Sequence, residues 1–187
     1  MMKCQTCVVL DGKVVSYQDD LFPEFGHSKV SDDERPCICG GKGCFATMAS
    51  GDGIALSGRE AAQCGTSERL AAVLQSSRGS LTAAHVFDAA DEGDAGARRI
   101  LDRVGELFGR MYANLVYFCQ PEKIVVTGGL TPRFPAIEMV VRESMKKNCW
   151  LLEGGFTRCD PVMSTLGDTA GVIGAAAQAR YRLEETL

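Results

Sequence analysis

Long apolar runs are missing from this sequence: none approaches the roughly 20 residues that a membrane-spanning helix requires. Residues 1–7 do not contain the apolar stretch of a secretory signal peptide. Basic residues are in the minority, with 20 lysines and arginines against 24 aspartates and glutamates, so the chain has no broad basic surface for nucleic acid or anionic lipid. We therefore expect a cytoplasmic protein that alone binds neither nucleic acid nor a membrane, in a compartment where thiols stay reduced.

Histidine is scarce too, whereas cysteine is common. The chain has two histidines, His27 and His85, and nine cysteines. Cysteine is therefore a smaller share of the residues than the roughly 8–10% that marks a disulfide scaffold. Cys37, Cys39 and Cys44 lie close together in the glycine-rich stretch Cys-Ile-Cys-Gly-Gly-Lys-Gly-Cys. Cysteines clustered in this way in a reducing compartment indicate a metal site before they indicate disulfide bonds.

The three clustered thiols predict a structural zinc site with one further ligand. Thiolates are soft ligands for zinc, and four nitrogen or sulfur ligands close a tetrahedral site. His27 lies ten residues before Cys37, whereas His85 falls within a helical pattern, so we expect His27 to be the fourth ligand. The single residue between Cys37 and Cys39 is a tighter spacing than that of zinc fingers. The alternative is a loop with three buried thiols, which we consider less favourable because glycine-rich loops rarely bury free thiols.

The rest of the chain predicts strands that alternate with helices. Asp11-Gly12 between two β-branched runs is a two-residue hairpin turn. We predict a β-hairpin over residues 6–15, helices over 80–91, 94–118, 135–147 and 169–183, and strands over 123–127 and 156–159. Ser80, Asp94 and Asp168 are expected to cap the first, second and last of these helices. This alternation indicates an α/β fold in which a mixed sheet is covered by helices.

The long helix predicted over residues 94–118 has two packing faces. Its apolar stripe consists of Ile100, Val104, Leu107, Phe108, Met111, Leu115 and Phe118. A second stripe of small residues, Gly105, Gly109 and Ala113, would let another element approach the backbone closely. The last helix is expected to pack in the same way through Gly171, Gly174, Ala175 and Ala177.

The motif Glu24-Phe25-Gly26-His27, followed by Cys-x-Cys-Gly-x-x-Gly-Cys, resembles the ROK family (repressor, open reading frame, kinase) of bacterial sugar kinases and sugar-responsive repressors. Three more segments resemble the same family, over residues 48–51, 124–129 and 166–176. The resemblance implies the actin-like ATPase (ribonuclease H-like) fold. It also implies the same four zinc ligands, His27, Cys37, Cys39 and Cys44.

The resemblance assigns further roles to particular residues. Glu24 and His27 would face a hexose or amino sugar, and Gly128 and Gly129 would line the adenosine side of ATP. A glutamate that contacts the sugar in the family is replaced here by Ala46, whose side chain cannot accept a hydrogen bond from a sugar hydroxyl. The family's Asp-x-Gly-x-Thr phosphate loop and its general-base aspartate have no counterpart in the 187 residues, so we expect no catalytic residue in this chain.

These expectations define residues 1–187 as a single domain equivalent to the C-terminal lobe of a ROK carbohydrate kinase, with the N-terminal lobe absent. Zn²⁺ would be structural, and ATP and Mg²⁺ would bind only to a complete kinase. We expect a homodimer, and a separate N-terminal kinase lobe is a possible partner. The alternatives are a non-catalytic sugar-binding or regulatory module and the effector half of a ROK transcriptional repressor.

Overall fold

The computed structural model describes residues 5–15 and 23–186. The strands are β1 (Val9–Leu10), β2 (Lys13–Val14), β3 (Lys123–Val126) and β4 (Asp160–Met163). The helices are α1 (Phe45–Ala49), α2 (Gly51–Gln63), α3 (Glu68–Ser76), α4 (Ala83–Asp91), α5 (Ala95–Cys119), α6 (Pro135–Asn148), α7 (Trp150–Glu153) and α8 (Ala170–Thr186). Single-turn 3₁₀ helices cover Phe25–His27, Thr131–Arg133 and Gly167–Thr169. No helix in the described part is both long enough and apolar enough to cross a membrane.

The predicted hairpin is confirmed. β1 and β2 pair antiparallel, with Leu10 opposite Lys13. Asp11 and Gly12 have φ values of 51° and 77°, and a two-residue hairpin turn with both central residues at positive φ matches the twist of its strands.

The prediction of one mixed sheet is wrong for the described residues, which form two separate two-stranded sheets. β1 and β2 make the first sheet, and β3 and β4 pair in parallel to make the second. The apolar runs indicate where strands occur but do not specify which strands are neighbours. β4 also lies after the predicted 156–159 segment. The prediction stopped short of the strand because Pro161, a residue type that is disfavoured in strand interiors, lies within it, opposite Ile124.

Helix α5 is the centre of the hydrophobic core. It begins after Asp94, whose side chain accepts a hydrogen bond from Ala97 N at 2.8 Å, which confirms the predicted cap. The predicted apolar stripe is buried at Val104, Leu107, Phe108, Met111 and Leu115, and Ile100 is half-buried.

The stripe prediction is wrong at its last residue, because Phe118 is 79% exposed. The helical period places Phe118 on the core side, but no described element covers the last turn of α5 there. The predicted start of α4 is also early. Thr82, rather than Ser80, precedes the helix, and its backbone N donates to Nδ1 of His85 at 3.2 Å.

Three aromatic rings connect the cysteine loop to the second half of the chain through α5. The rings of Phe45 and Phe108 meet edge to face, with centroids 4.9 Å apart. Phe108 meets Phe134 in the same manner at 5.9 Å. Because Phe45 directly follows Cys44 and Phe134 directly precedes α6, this contact places the cysteine loop and the start of α6 on one core.

Another element packs closely against the small-residue face of α5, as predicted, and the structure identifies it as α6. A Cβ atom at Gly105 would lie 2.9 Å from Val140 Cβ. One at Gly109 would overlap Ser144 Cβ and lie 2.7 Å from the carbonyl oxygen of Val141. The two helices therefore approach each other at a distance that only glycine permits at position 109.

We expect Gly109→Ala to lower the free energy of unfolding by about 1–3 kcal/mol, because the added methyl group forces α5 and α6 apart. The matched control is Gly174→Ala on α8, where an added Cβ meets no atom within 4 Å. That change should leave stability unchanged or raise it by up to about 1 kcal/mol, since alanine is the better helix former. Urea denaturation measures both, and equal effects of the two substitutions would contradict the close approach.

Helix α8 does not have the packing that was predicted for it. Gly171, Gly174, Ala175 and Ala177 are all exposed, and Val172 is 74% exposed. The small residues of α8 therefore face solvent in this chain. The proposed cap by the Asp168 side chain lies outside the described side chains.

Candidate metal centre

The structure brings together the four residues that the sequence singled out as metal ligands. The ligand atoms of His27, Cys37, Cys39 and Cys44 all lie within 4.8 Å of one another. Nδ1 of His27 lies 3.2 Å from Sγ of Cys37, and Sγ of Cys39 lies 3.6 Å from Sγ of Cys44. His27 ends a 3₁₀ turn and Cys44 immediately precedes α1, so regular structure fixes both ends of the cluster.

Backbone hydrogen bonds fold the cysteine loop. Cys37 N donates to the carbonyl oxygen of Gly41 at 2.8 Å, and Gly40 N donates to that of Cys37 at 3.0 Å. Gly43 has a φ of 71°, and a Cβ atom there would overlap the carbonyl oxygen of Ser31. Residue 43 must therefore be glycine for the chain to pass beside residues 31–33 and bring Cys44 to the cluster.

Arg35 connects this loop to α2. Its guanidinium donates to Ser57 Oγ at 3.0 Å and forms an ion pair with Glu60. Its backbone N donates to Oδ1 of Asp33 at 2.8 Å. No sequence signal pairs residue 35 with residues 57 and 60, since the contact depends on how the loop lies against the helix.

The dimensions of the cluster fit a zinc ion. At Zn–S distances of about 2.3 Å, the ligand atoms at the corners of a tetrahedron are about 3.8 Å apart. The distances of 3.2 and 3.6 Å are close to this value, and all four ligand atoms lie within 4.8 Å of one another. One nitrogen and three sulfurs complete four-coordination without an open position, which is the arrangement of structural rather than catalytic zinc sites.

The thiols affect one another's protonation. The pKa of Cys39 is lowered to about 7, chiefly by the hydrogen bond from the backbone of Gly41 and then by those with Cys37 and Cys44. Burial, followed by the neighbouring thiols, raises the pKa of Cys44 to about 12. Zinc binds thiolates, so a metal entering at neutral pH would displace the Cys44 proton, and acid would weaken its binding.

The predicted sugar-facing residues lie beside the metal cluster. Glu24 is exposed and immediately precedes the 3₁₀ turn, where its carbonyl oxygen accepts from His27 N at 2.9 Å. Nδ1 of His27 is on the side of Cys37, which leaves Nε2 for a second hydrogen bond. Ala46 lies half-buried in the first turn of α1, which packs against this 3₁₀ turn.

The predicted nucleotide-side glycines form an open turn after β3. Gly128 has a φ of 111°, and neither Gly128 nor Gly129 has an atom within 4 Å of where a Cβ would lie. Thr131 N donates to the carbonyl oxygen of Gly128 at 2.9 Å. The buried hydroxyl of Thr131 has no hydrogen-bond partner among the described residues, and no sequence pattern indicates this feature. The turn is accessible to a ligand approaching its backbone.

Known proteins resemble this chain over most of its length. The family model described as "ROK family" matches residues 5–182. A glucokinase of Halalkalibacterium halodurans is 32% identical over 168 residues, covering 89% of this chain and 50% of that protein. One from Thermotoga maritima is 30% identical over 176 residues, covering 94% and 55%. The DNA-binding transcriptional repressor Mlc of Escherichia coli K12 is 29% identical over 140 residues, covering 75% and 33%. The chain thus spans about half the length of the glucokinases it matches.

Solved structures give the same result. A ROK family glucokinase from Streptomyces griseus, in complex with glucose and AMPPNP, superposes with a TM-score of 0.79 at 26% identity, covering 95% of this chain and 57% of that one. A ROK hexokinase from Thermus thermophilus has a TM-score of 0.72 at 23% identity, covering 96% and 55%, and supports the fold alone. These neighbours imply the actin-like ATPase fold for this mixed α/β chain. With the family model matching nearly its whole length, the chain belongs to the ROK family.

Proposed function

We propose that these 187 residues form the zinc-binding C-terminal lobe of a ROK carbohydrate kinase. The observation that carries the proposal is the cluster of His27, Cys37, Cys39 and Cys44, which lies in a chain that resembles glucokinases over about nine-tenths of its length. Zinc would join the 3₁₀ turn to the cysteine loop and contribute to the folding of both.

In this proposal the metal orients the sugar site and does no chemistry itself. A metal-bound imidazole is held in one orientation, so Nε2 of His27 can meet a sugar hydroxyl. The Glu24 carboxylate, exposed at the start of the same turn, can accept a hydroxyl hydrogen bond. Gly128 and Gly129 would leave room for the adenosine part of ATP. The phosphates of ATP and their Mg²⁺ would need other groups, which none of these residues provides.

We expect the 187-residue chain alone to transfer no phosphate from ATP to a hexose above background. The sugar hydroxyl needs a positioned base, worth about 10²–10⁴-fold, and the γ-phosphate needs donors that stabilise its charge. The sequence contains no Asp-x-Gly-x-Thr loop to supply them.

A coupled ADP-release assay with a panel of hexoses and amino sugars tests this, run with and without a ROK N-terminal lobe added as a separate protein. Turnover only with the added lobe would support the kinase-lobe proposal. Robust turnover by the chain alone would contradict it. No turnover in either case would favour the non-catalytic sugar-binding module.

Position 46 gives a prediction about sugar affinity. A glutamate there would stand in the first turn of α1, next to the turn of His27, and could accept a hydroxyl. We expect Ala46→Glu to tighten hexose binding by about tenfold, since a hydrogen bond to a charged group contributes roughly 1.5–3 kcal/mol. Isothermal titration measures the change, with Ala84→Glu on the exposed side of α4 as the control. Equal hexose affinities for the two variants would show that a side chain at position 46 does not contact the sugar.

The repressor Mlc among the relatives favours a second candidate, the effector half of a sugar-responsive repressor. Such a lobe would bind a sugar without phosphorylating it. Hexose binding that persists while the added kinase lobe produces no ADP would support a non-catalytic lobe, either this candidate or the sugar-binding module, over the kinase.

We also propose that the chain forms a homodimer. Val9 and Leu10 are exposed on β1, a strand of only two residues whose one described partner is β2. Exposed apolar strand edges pair readily with other chains. Light scattering at micromolar concentration should give at least twice the mass of 20.0 kDa, and a purely monomeric protein would contradict the proposal.

A further inference from the structure

An open groove lined by polar residues lies on the side of α5, apart from the residues assigned to sugar, zinc and nucleotide. Residues 29–33 form one wall, Arg103, Arg110 and Asn114 of α5 form the other, and Asn148 closes the end of α6. This polar groove has a volume of about 660 Å³. The three α5 residues are spaced by seven and four positions, so they share one helix face. The volume is that of a pocket for a small organic molecule.

The charged residues of the first wall are compensated. Nζ of Lys29 lies 3.6 Å from Oδ1 of Asp32. Oδ1 of Asp33 accepts from the backbone N of Arg35 at 2.8 Å and lies 3.8 Å from Nε of Arg35. The two carboxylates of this wall therefore have cations beside them, which reduces their repulsion of an anion in the polar groove.

The second wall has one uncompensated charge. Arg103 donates to Glu106 Oε2 at 3.2 Å and to Ser31 Oγ at 3.4 Å. Arg110 is half-buried, and within residues 5–15 and 23–186 it has neither an ion pair nor a hydrogen bond. A guanidinium presents a planar fork of donors that matches the oxygens of a phosphate or carboxylate. The free fork of Arg110 therefore gives the polar groove one anion-binding position.

Two side-chain amides that line the same groove as Arg110 have donor or acceptor atoms without a partner among the described residues. Asn114, one turn further along α5, has no hydrogen-bond partner in the described part of the chain. Asn148 donates through Nδ2 to the carbonyl oxygen of Ser144 at 2.7 Å, which leaves its Oδ1 to accept. Amides that both donate and accept suit hydroxyl groups.

We propose that the polar groove binds a hydroxyl-bearing phosphomonoester, with the phosphate on Arg110 and the hydroxyl groups on Asn114 and Asn148. The site does not depend on the proposed kinase function, since it shares no residue with the sugar, zinc or nucleotide positions. Arg110 attracts a phosphate ester more strongly than a carboxylate, because the ester has more negative charge and one more terminal oxygen for the guanidinium to meet.

The test is an isothermal titration of the full chain with glycerol 3-phosphate at low ionic strength, with glycerol as the uncharged probe. Glycerol 3-phosphate should give a saturable heat of binding that weakens as salt is added, and glycerol should give none. Using glycerol compounds avoids the hexose site, so failure here leaves the kinase proposal unaffected. A linear, non-saturating response to glycerol 3-phosphate would overturn the inference.

Arg110→Gln should weaken the binding of glycerol 3-phosphate by about tenfold or more, because it removes the charged fork. Arg158→Gln is the matched control, since Arg158 is exposed, lies outside the polar groove and has no partner among the described residues. If Arg110→Gln impairs folding, Asn114→Ala at an exposed position replaces it and should weaken binding as well. Wild-type affinity in the groove variant, or equal losses in the groove variant and the control, would overturn the inference.

Discussion

Cys39→Ser is expected to reduce the zinc content from about one ion per chain to a small fraction of that, and to lower the melting temperature at the same time. The reason is that the site is closed by four ligands, and the binding free energy of a structural zinc is also folding free energy. Elemental analysis of the dialysed protein measures the first effect, and a thermal melt measures the second. A shift of the order of 10 °C corresponds to a few kcal/mol in a chain of this size.

The matched control for this experiment is Cys64→Ser. Cys64 is exposed at the end of α2 and is not part of the metal cluster, so the same atom exchange should change neither zinc content nor melting temperature appreciably. Lowering the pH should release zinc from the wild type as protons displace the metal from His27 and the thiolates. A native protein that is stable and free of metal, or one that keeps its zinc after Cys39→Ser, would contradict the proposed site.

Phe108→Ala is expected to destabilise the chain by about 3–5 kcal/mol, which approaches the whole stability of many domains. Phe108 is only 8% exposed, and its ring contacts those of Phe45, Tyr112 and Phe134. Removing it leaves a cavity at the point where the cysteine loop, α5 and the segment before α6 meet.

Phe118→Ala is the control on the same helix, with the same change of side chain. Because Phe118 is largely exposed, we expect its removal to change the free energy of unfolding by less than about 0.5 kcal/mol. Denaturant titration of both variants distinguishes a buried from an exposed position directly. Comparable losses would mean that the last turn of α5 is covered in solution.

The contrast between Phe108 and Phe118 shows what the helical period predicts. The period identified α5 and the direction of its buried face, since each apolar residue recurs on the same side of the helix. It does not show how far along the helix a covering element extends. The same limit explains α8, whose face of small residues was predicted to pack closely against another element but is exposed.

The metal cluster could be predicted from the sequence because soft ligands at short spacing are rare outside metal sites. The ligand set needed only residues 27–44, a local segment. The polar groove could not be predicted in this way, since Ser31, Arg103 and Asn148 come together only after α5 and α6 have packed. Strand pairing is similarly non-local, which is why the alternation of elements predicted an α/β fold but not the two separate sheets.

The exposure of α8 has a consequence for the dynamics of its backbone. A helix that buries little apolar surface can open without the rest of the domain unfolding. Amide hydrogens over residues 170–186 should therefore exchange with deuterium faster than those of α5, whose core side is buried. If a separate kinase lobe docks on α8, the amide exchange of α8 would slow when the two proteins are mixed. Mass spectrometry of the peptide that covers residues 170–186 would then report association of the two lobes even where no sugar is phosphorylated.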